Sequence, residues 1–111
     1  TGKTLNVILN QRSQDMLVAN SWNVTQYAVL THMLAQVSDL QVGELVHVIA
    51  DAHIYDRHVP LVQELLKRET WPAPKVRLDP GIKDFYEFSL DRIWLENYQH
   101  GEKLTGIPVA I

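Results

Sequence analysis

Hydrophobic and polar residues alternate near the beginning of the chain, over residues 4–11. Leu5, Val7 and Leu9 share one face of an extended chain, and the residues between them share the other. This period of two predicts a β-strand. A strand that starts directly after a turn usually pairs with a strand before that turn, and none precedes it in this sequence. We therefore expect the chain to be a piece of a larger protein.

A longer period indicates two helices. Over residues 20–39, apolar residues recur three and four positions apart, and few positions around the helix are polar. This pattern predicts a long helix that is buried on most sides. Residues 58–69 carry a narrower apolar stripe, with Pro60 in the first turn. Glu64 and Arg68 are four residues apart in this second helix, a spacing that favours an ion pair.

The remaining elements are short. Further strands are predicted at residues 44–50, 75–78, 84–88 and 94–98, with turns at Gly43 and at residues 79–81. Helices and strands mix without a regular strand–helix–strand rhythm. The sequence therefore predicts an α/β (α+β) fold in which a mixed β-sheet packs against the long buried helix.

Composition limits the class of protein. The chain has 111 residues, a length typical of one domain, so we expect a single domain over residues 1–111. It contains no cysteine, which excludes a disulfide framework and a cysteine nucleophile within these residues. The net charge is −3, with no basic stripe, so we expect no nucleic-acid partner. The sequence shows no membrane-spanning run and no signal peptide, so we predict a soluble, cytoplasmic domain.

A first polar cluster follows the first strand, at residues 11–15. The planar guanidinium of Arg12 matches phosphate or carboxylate, and the hydroxyl of Ser13 adds a donor. An alternative is that Arg12 and Asp15 form an ion pair that closes the end of the strand.

A second polar cluster consists of Asp51, His53 and Tyr55. Their spacing of two places them on one face of an extended segment, where a histidine and a tyrosine suit hydrogen bonding to sugar hydroxyls. The spacing matches no familiar metal-ligand pattern, and His58 is expected to begin a helix instead of facing the cluster, so we expect no metal. An alternative is that His53 is a buried structural residue.

Other polar and aromatic residues have structural explanations. Asn23 and Gln26 have the spacing of a capping box at the start of a helix. Trp22 and Trp71 are expected in the core or at its rim. Two histidines within apolar segments, His32 and His47, are expected in the core or at an interface.

Taken together, these motifs resemble thymidylate synthase. The resemblance is carried by Gln11-Arg12-Ser13-x-Asp15, by Asn23 and by Asp51-x-His53-x-Tyr55, in this order and at these spacings, and it covers the whole chain. What the chain resembles is the C-terminal part of the family, whose catalytic cysteine lies before the Gln-Arg-Ser strand. The resemblance thus explains both the missing strand and the absence of cysteine, and it implies that this fragment alone is inactive.

The resemblance implies a reaction and a set of binding residues. The family converts dUMP to dTMP with 5,10-methylenetetrahydrofolate as co-substrate, works as a homodimer and needs no metal. The residues that would bind dUMP are Arg12, Ser13, Gln14, Asp15, Asn23, His53, Ile54 and Tyr55. Within this set, Arg12 and Ser13 would hold the phosphate, while His53 and Tyr55 would hold the 3′-hydroxyl.

Two of these residues would also be catalytic, and two residues would meet the folate. Asn23 would bind O4 and N3–H of uracil and stabilise the charge that develops on O4. Asp15 would contact the ring through its backbone and the pterin through its carboxylate. Ala110 would bind folate as part of a C-terminal lid with Ile111.

The sequence departs from the common family pattern before Asn23. Family members often carry Gly-x-Pro-Phe there, whereas this chain has Ala19, Asn20, Ser21 and Trp22. Family relatives that hydroxymethylate dCMP carry aspartate at the position of Asn23, so its amide favours uracil. Two alternatives remain: a pyrimidine-nucleotide hydroxymethylase of the same family, and a non-catalytic nucleotide-binding module.

Overall fold

A parallel strand–helix–strand unit forms the larger part of the structure, a computed structural model that describes residues 2–109. Strand β1 (Thr4–Asp15) leads through a turn into helix α1 (Asn20–Val37), which returns the chain to strand β2 (Gln41–His53). The two strands pair in parallel, with α1 packed on one face of the pair. Both strands extend beyond their predicted limits.

Alternation along β1 and β2 sets which side chains meet the helix. Leu5, Val7 and Leu9 are half-buried towards α1, and Ile8 on the other face is 66% exposed. Ile8 lies opposite Val46 of β2, which is also exposed. Within residues 2–109 the pair of strands therefore has one covered face and one open face, on which Ile8, Val46 and Val48 form an apolar patch among polar residues.

Gly43 lies within β2 and not in the predicted turn. The register between the strands shifts between Leu5 and Val7, and Asn6 Oδ1 accepts a hydrogen bond from the Glu44 amide at 2.9 Å. A Cβ on Gly43 would collide with that Asn6 oxygen. Glycine thus permits the close approach that the irregular pairing requires.

Helix α1 is less buried than its sequence predicts. Within residues 2–109 only Thr31 and Ala35 of this helix are buried, and Trp22 near its start is 74% exposed. The strands cover one side of a helix that is apolar around most of its circumference. Since the helix does span its predicted segment, the prediction of its existence is confirmed, whereas burial on most sides is wrong for the described part of the chain.

The second helix is shorter than predicted. A 3₁₀ turn (Asp56–His58) leads into helix α2 (Val59–Leu66), which has Pro60 in its first turn. The helix ends before Thr70 and the Trp71-Pro72 sequence, where a helical conformation is disfavoured. The predicted ion pair is present, with Arg68 Nη2 and Glu64 Oε1 2.9 Å apart.

An antiparallel hairpin completes the fold. Strands β3 (Lys75–Leu78) and β4 (Ile93–Glu96) pair with each other, so within residues 2–109 the strands form two separate pairs in place of one mixed sheet. The predicted strand at residues 84–88 is wrong. Asp84 Oδ1 accepts the Tyr86 amide at 3.0 Å and initiates a 3₁₀ turn (Phe85–Glu87) there, a local bond that competes with strand pairing.

Side-chain hydrogen bonds attach the hairpin loop to α1. Gln36 Nε2 donates to the carbonyl oxygens of Asp79 and Ile82, both at 2.9 Å, and the Ile82 side chain is fully buried. The observed mixture of helices and strands confirms the predicted α/β (α+β) class. None of the helices in the described residues is long and apolar enough to cross a membrane.

Candidate functional site

The two polar clusters predicted from sequence lie side by side. Because β1 and β2 are parallel, their carboxyl ends meet at the same edge, and the register pairs Ser13 with Asp51 and Asp15 with His53. The Met16 amide continues this pairing by donating to the His53 carbonyl at 3.0 Å. Residues some forty positions apart in the chain are therefore gathered at one end of the parallel pair, the edge at which α/β proteins commonly bind ligands.

A small polar cavity lies beside this edge, between β1 and the first half of α1. Its volume is about 250 Å³. Its lining residues are Leu9, Asn10, Gln11, Arg12, Asn23, Gln26 and Tyr27. The cavity thus brings together Arg12 and Asn23, which the sequence analysis assigned to phosphate and base.

Arg12 is free of the alternative ion pair. Within residues 2–109 no ion pair joins it to Asp15, and its side chain is exposed. Ser13 is half-buried on the opposite face of β1, towards α1. The guanidinium therefore remains available to an anion.

Asp15 instead shapes the turn into α1. Its Oδ1 accepts hydrogen bonds from the backbone amides of Leu17 and Val18 at 3.0 and 3.2 Å. The Ala19 amide donates to the Asp15 carbonyl at 3.2 Å. These bonds fix the path between the strand and the helix that carries Asn23.

Asn23 does not cap the helix. Ala19 occupies the N-cap position without a side-chain hydrogen bond. Asn23 lies in the first turn, where its backbone N–H donates to the Ala19 carbonyl at 2.9 Å. The capping alternative is therefore wrong. Asn23 cannot be the cap because the helix begins at Asn20, three residues before it.

The orientation of the Asn23 amide is set by Gln11. Gln11 Nε2 donates to Asn23 Oδ1 at 3.3 Å and to the Ser13 carbonyl at 2.9 Å, and Gln11 Oε1 lies 2.8 Å from His47 Nε2. An amide oxygen accepts, so His47 Nε2–H is the donor in the last of these bonds. Among residues 2–109, Asn23 Nδ2 has no hydrogen-bond partner, so this donor and one lone pair of Oδ1 could meet a ligand.

The support that Gln11 and His47 give to Asn23 was not predicted from the sequence. Both sit among apolar residues on the face of the strands that packs against α1, a placement consistent with a core or interface position. Glutamine at an inward position of a strand is itself a signal, since a buried amide needs partners. Finding the partner, however, required the register between β1 and β2.

His53 and Tyr55 lie together as predicted. Their ring centroids are 5.2 Å apart in an edge-to-face arrangement, although β2 ends at His53. His53 Nδ1 lies 3.3 Å from the Asp51 carbonyl oxygen and 3.5 Å from Asp51 Oδ1. His53 is half-buried, so it is not the fully buried structural residue of the alternative. Ile54 and Tyr55 are exposed at this edge.

His58 differs from its predicted placement. It does precede α2, but its ring lies 5.7 Å from that of Tyr55, edge to face, and its side chain is only 2% exposed. It therefore adjoins the second cluster instead of facing away from it. Within residues 2–109 no group of three or more histidine and acidic side chains has a geometry that could hold a metal ion.

Gln14 lies near the end of β1, between Ser13 and Asp15. It is buried, and its Nε2 donates to the Asp15 carbonyl at 3.1 Å. Its Oε1 has no hydrogen-bond partner among the described residues. An unpaired buried acceptor of this kind is unusual in a folded protein.

A wide groove of about 980 Å³ runs along the other side of the first turn of α1. Its wall includes Val18, Trp22, Trp71, Tyr98 and Ile107. Trp22 is thus a rim residue with an open aromatic face, not a core residue. Ala110 and Ile111, the predicted lid, lie outside the described residues.

Comparisons with known proteins agree with the motifs. The family model for thymidylate synthase matches residues 1–111. A thymidylate synthase of Bacillus licheniformis is 45% identical over 101 residues, which are 91% of this chain and 36% of that protein. Thymidylate synthase 1 of Bacillus amyloliquefaciens is 42% identical over 106 residues, 95% of this chain and 46% of that protein.

A solved structure extends the agreement to the fold. The thermostable thymidylate synthase A from Bacillus subtilis matches with a TM-score of 0.94 and 40% sequence identity, covering 100% of this chain and 40% of that one. The chain therefore spans less than half the length of the relatives it matches. Since the family model covers all of its residues, the chain belongs to the thymidylate synthase family.

Proposed function

We propose that the protein containing this chain is a thymidylate synthase that reductively methylates dUMP to dTMP with 5,10-methylenetetrahydrofolate, in the cytoplasm. The observation that carries the proposal is the polar cavity shared by Arg12 and Asn23, next to the edge where Asp15 pairs with His53. An anion site, a base-reading amide and a pair of hydroxyl-binding rings within one region match the three parts of a pyrimidine deoxynucleotide.

The phosphate of dUMP would bind Arg12 and Ser13. Arg12 presents an exposed guanidinium, whose planar fork can donate two parallel hydrogen bonds to a phosphate. Ser13 lies on the opposite face of β1, so its hydroxyl is assigned to the phosphate by the family resemblance and not by a shared face, and Gln14 donates to the Asp15 carbonyl at the strand end. This contact fixes the position of the nucleotide and does not read its base.

Asn23 would read the uracil ring. Uracil presents a carbonyl acceptor at C4 and an N–H donor at N3, which the amide of Asn23 complements with Nδ2 and Oδ1. Gln11 supports this assignment because its donor to Oδ1 fixes which atom is the oxygen. As C5 becomes nucleophilic, negative charge develops on O4, and a donor already aimed at that atom stabilises it.

The deoxyribose would bind the edge formed by residues 53–55. His53 and Tyr55 carry ring nitrogen and hydroxyl groups that can bond the 3′-hydroxyl, and their edge-to-face contact holds both rings in place. Ile54, exposed between them, would contact the sugar. Asp51 orients His53 from the far side.

Folate would occupy the groove beside Trp22. The groove has aromatic and aliphatic walls, suited to the flat rings of a folate, and Asp15 lies at the turn that borders it. Asp15 Oδ1 is engaged by backbone amides, which leaves Oδ2 for the pterin. Ala110, beyond the described residues, would cover the ligand with Ile111. Bound methylenetetrahydrofolate supplies the one-carbon unit and the hydride.

The nucleophile is not among these residues. The family mechanism begins with addition of a cysteine thiolate to C6 of the uracil ring, and residues 1–111 contain no cysteine. Without that addition C5 has no carbanion character. We therefore propose that residues 1–111 by themselves are inactive and supply binding and orientation only.

A homodimer would form through the open face of β1 and β2. Ile8, Val46 and Val48 are exposed neighbours on this face, and the paired positions of Ile8 and Val46 form a continuous apolar surface. Exposed apolar surface of this kind marks an interaction site. A second copy of the same face is the partner that the family assignment favours.

The function is tested by assaying the intact protein with dUMP and 5,10-methylenetetrahydrofolate. We expect release of tritium from 5-tritiated dUMP, formation of dTMP by chromatography and formation of dihydrofolate by absorbance. A hydroxymethylase would release tritium but yield tetrahydrofolate, and a binding module would release none. Residues 1–111 expressed alone form the second arm, in which we expect tritium release no greater than that without protein.

A further inference from the structure

A buried histidine holds the C-terminal segment to the nucleotide edge of the site. His58 Nε2 lies 2.8 Å from the carbonyl oxygen of Pro108, fifty residues further along the chain. A carbonyl oxygen only accepts hydrogen bonds, so Nε2 carries the hydrogen and donates it. The His58 side chain is 2% exposed and Pro108 is exposed, so the bond is shielded from water on the histidine side.

The same ring continues the row of rings that begins at the proposed sugar site. Tyr55 lies between His53 and His58, with centroid distances of 5.2 and 5.7 Å and edge-to-face angles of 83° and 79°. The row therefore connects residues 53–55 to the carbonyl of Pro108 through direct contacts. A shift of the Tyr55 ring would therefore displace His58 and, with it, the segment that His58 holds.

The held segment has few other attachments. Residues 98–109 form no helix or strand. Arg57 Nη1 lies 3.5 Å from the Val109 carbonyl and Arg68 Nη1 donates to the Glu102 carbonyl, but both bonds are exposed. Ile107, next to Pro108, forms part of the wall of the groove that also contains Trp22. Of these three bonds among the described residues, the one from His58 has a buried donor, and it lies next to Ile107 on the groove wall.

Packing alone does not account for a histidine at position 58. Its Nδ1 is buried and has no partner among the described residues. An unpaired buried nitrogen lowers stability, so a phenylalanine of similar shape would be the better choice if the ring only filled space. The donor at Nε2 is what a phenylalanine would lack.

We propose that His58 is a positioning residue of the folate site. By donating to Pro108, it holds residues 107–109 against the groove. By packing against Tyr55, it couples their position to that of residues 53–55. This inference rests on the proposed function. His58 contacts neither ligand in this arrangement, and it acts through Ile107 and Tyr55. Its loss is therefore expected to weaken folate use more than nucleotide use.

Two variants of the intact protein distinguish the effect of the Nε2 donor from the effect of ring packing against Tyr55. His58→Phe keeps an aromatic ring against Tyr55 and removes the donor, whereas His58→Gln places an amide donor near the position of Nε2. Lys83→Gln, which removes an exposed ion pair with Asp39, serves as a control for a surface substitution far from the segment. Thermal unfolding of each variant shows that it is folded at the assay temperature.

The first measurement is independent of activity. Backbone order parameters of the Ile107 and Val109 amides, obtained by nuclear magnetic resonance relaxation, report how firmly the segment is held. We expect them to fall from about 0.85, typical of a rigid backbone, to below about 0.6 in His58→Phe. In His58→Gln and Lys83→Gln we expect them to stay near about 0.85. Equal order parameters in His58→Phe and the unmodified protein would overturn the proposal.

The second measurement is steady-state kinetics. We expect His58→Phe to raise the KM for methylenetetrahydrofolate about threefold to tenfold, with the KM for dUMP unchanged and with recovery in His58→Gln. Unchanged folate KM, or equal losses in both variants, would overturn the role of His58. Absence of turnover in the unmodified protein would instead reject the proposed function, and the order parameters would still show whether His58 holds the segment.

Discussion

Gln11 donates a hydrogen bond to Asn23 from the neighbouring strand, with Nε2 and Oδ1 3.3 Å apart. The bond matters because an asparagine amide can rotate by half a turn and present either a donor or an acceptor at the same place. His47 fixes Gln11 in turn, through Nε2–H and Gln11 Oε1 at 2.8 Å. If Asn23 reads the base as proposed, a base that needs the opposite pattern, such as cytosine, would meet an amide held in the wrong orientation.

Replacing Gln11 by leucine tests this arrangement. The leucine keeps an apolar contact but offers no donor, so Asn23 can rotate. We expect kcat/KM for dUMP to fall about tenfold, as for loss of a net hydrogen bond in the site, and the preference for dUMP over dCMP to narrow. Steady-state kinetics with both nucleotides measure the two effects. Gln41→Leu, at the exposed start of β2, is the matched control and is expected to change neither.

Replacing Asn23 by aspartate removes the Nδ2 donor itself. We expect kcat/KM for dUMP to fall about a hundredfold or more, as for loss of a donor to a developing oxyanion, while activity on dCMP rises relative to that on dUMP. Aspartate in the first turn is favourable to the helix dipole, so thermal stability is expected to change little. An unchanged dUMP rate would contradict the assignment of Asn23 to the base.

Replacing Arg12 by lysine separates binding from chemistry. A lysine keeps the positive charge but loses the two-pronged fit to a phosphate. Because the phosphate contact is equally strong before and during reaction, we expect the KM for dUMP to rise about tenfold with kcat nearly unchanged. Arg77→Lys, in an exposed ion pair with Glu96, is the control. A large fall in kcat with KM unchanged would show that Arg12 has another role.

The regular elements could be predicted because their patterns are local. The alternation that starts at residue 4 and the long apolar helix both appear where the sequence places them, and β3 matches its predicted limits. Asp84 shows the opposite case: one side-chain hydrogen bond turned an apparently strand-like segment into a 3₁₀ turn. Such local competition leaves no mark in hydrophobic periodicity.

The site could be predicted only in part, for a related reason. Arg12, Asn23, His53 and Tyr55 belong to motifs whose spacing is visible along the chain. The support for Asn23 comes from His47, which reaches Gln11 because Leu9 pairs with His47 in the parallel register. That pairing depends on where two strands separated by a helix align, which a single sequence does not specify. The contact between His58 and Pro108 depends in the same way on the path of the last segment.

Replacing Val46 by lysine tests the proposed dimer face. Val46 lies opposite Ile8 in the centre of the open apolar face. A lysine there would bury a charge between two copies of the face, so we expect the intact protein to shift from dimer towards monomer in sedimentation velocity. Leu66→Lys, at an exposed apolar residue on α2, is the control and is expected to leave the dimer intact. A dimer that stays intact in Val46→Lys would place the interface elsewhere.

The pH dependence of stability offers a test of the packing around His32. This residue lies on α1 beside Ala35, Gln36, Val76 and Leu78, and its burial lowers the pKa of the imidazole below the ordinary value. The unfolded chain then binds a proton more readily than the folded one, so the free energy of unfolding must fall as pH decreases through about 6.5.

We expect His32→Gln to remove this contribution, so that the variant loses less stability than the unmodified protein between about pH 7.5 and about pH 5.5. Urea denaturation at the two pH values measures the difference. His100→Gln, which replaces a histidine at an exposed position, is the control for loss of a histidine as such. The same loss of stability in His32→Gln and in the unmodified protein would show that burial of His32 does not contribute to acid sensitivity.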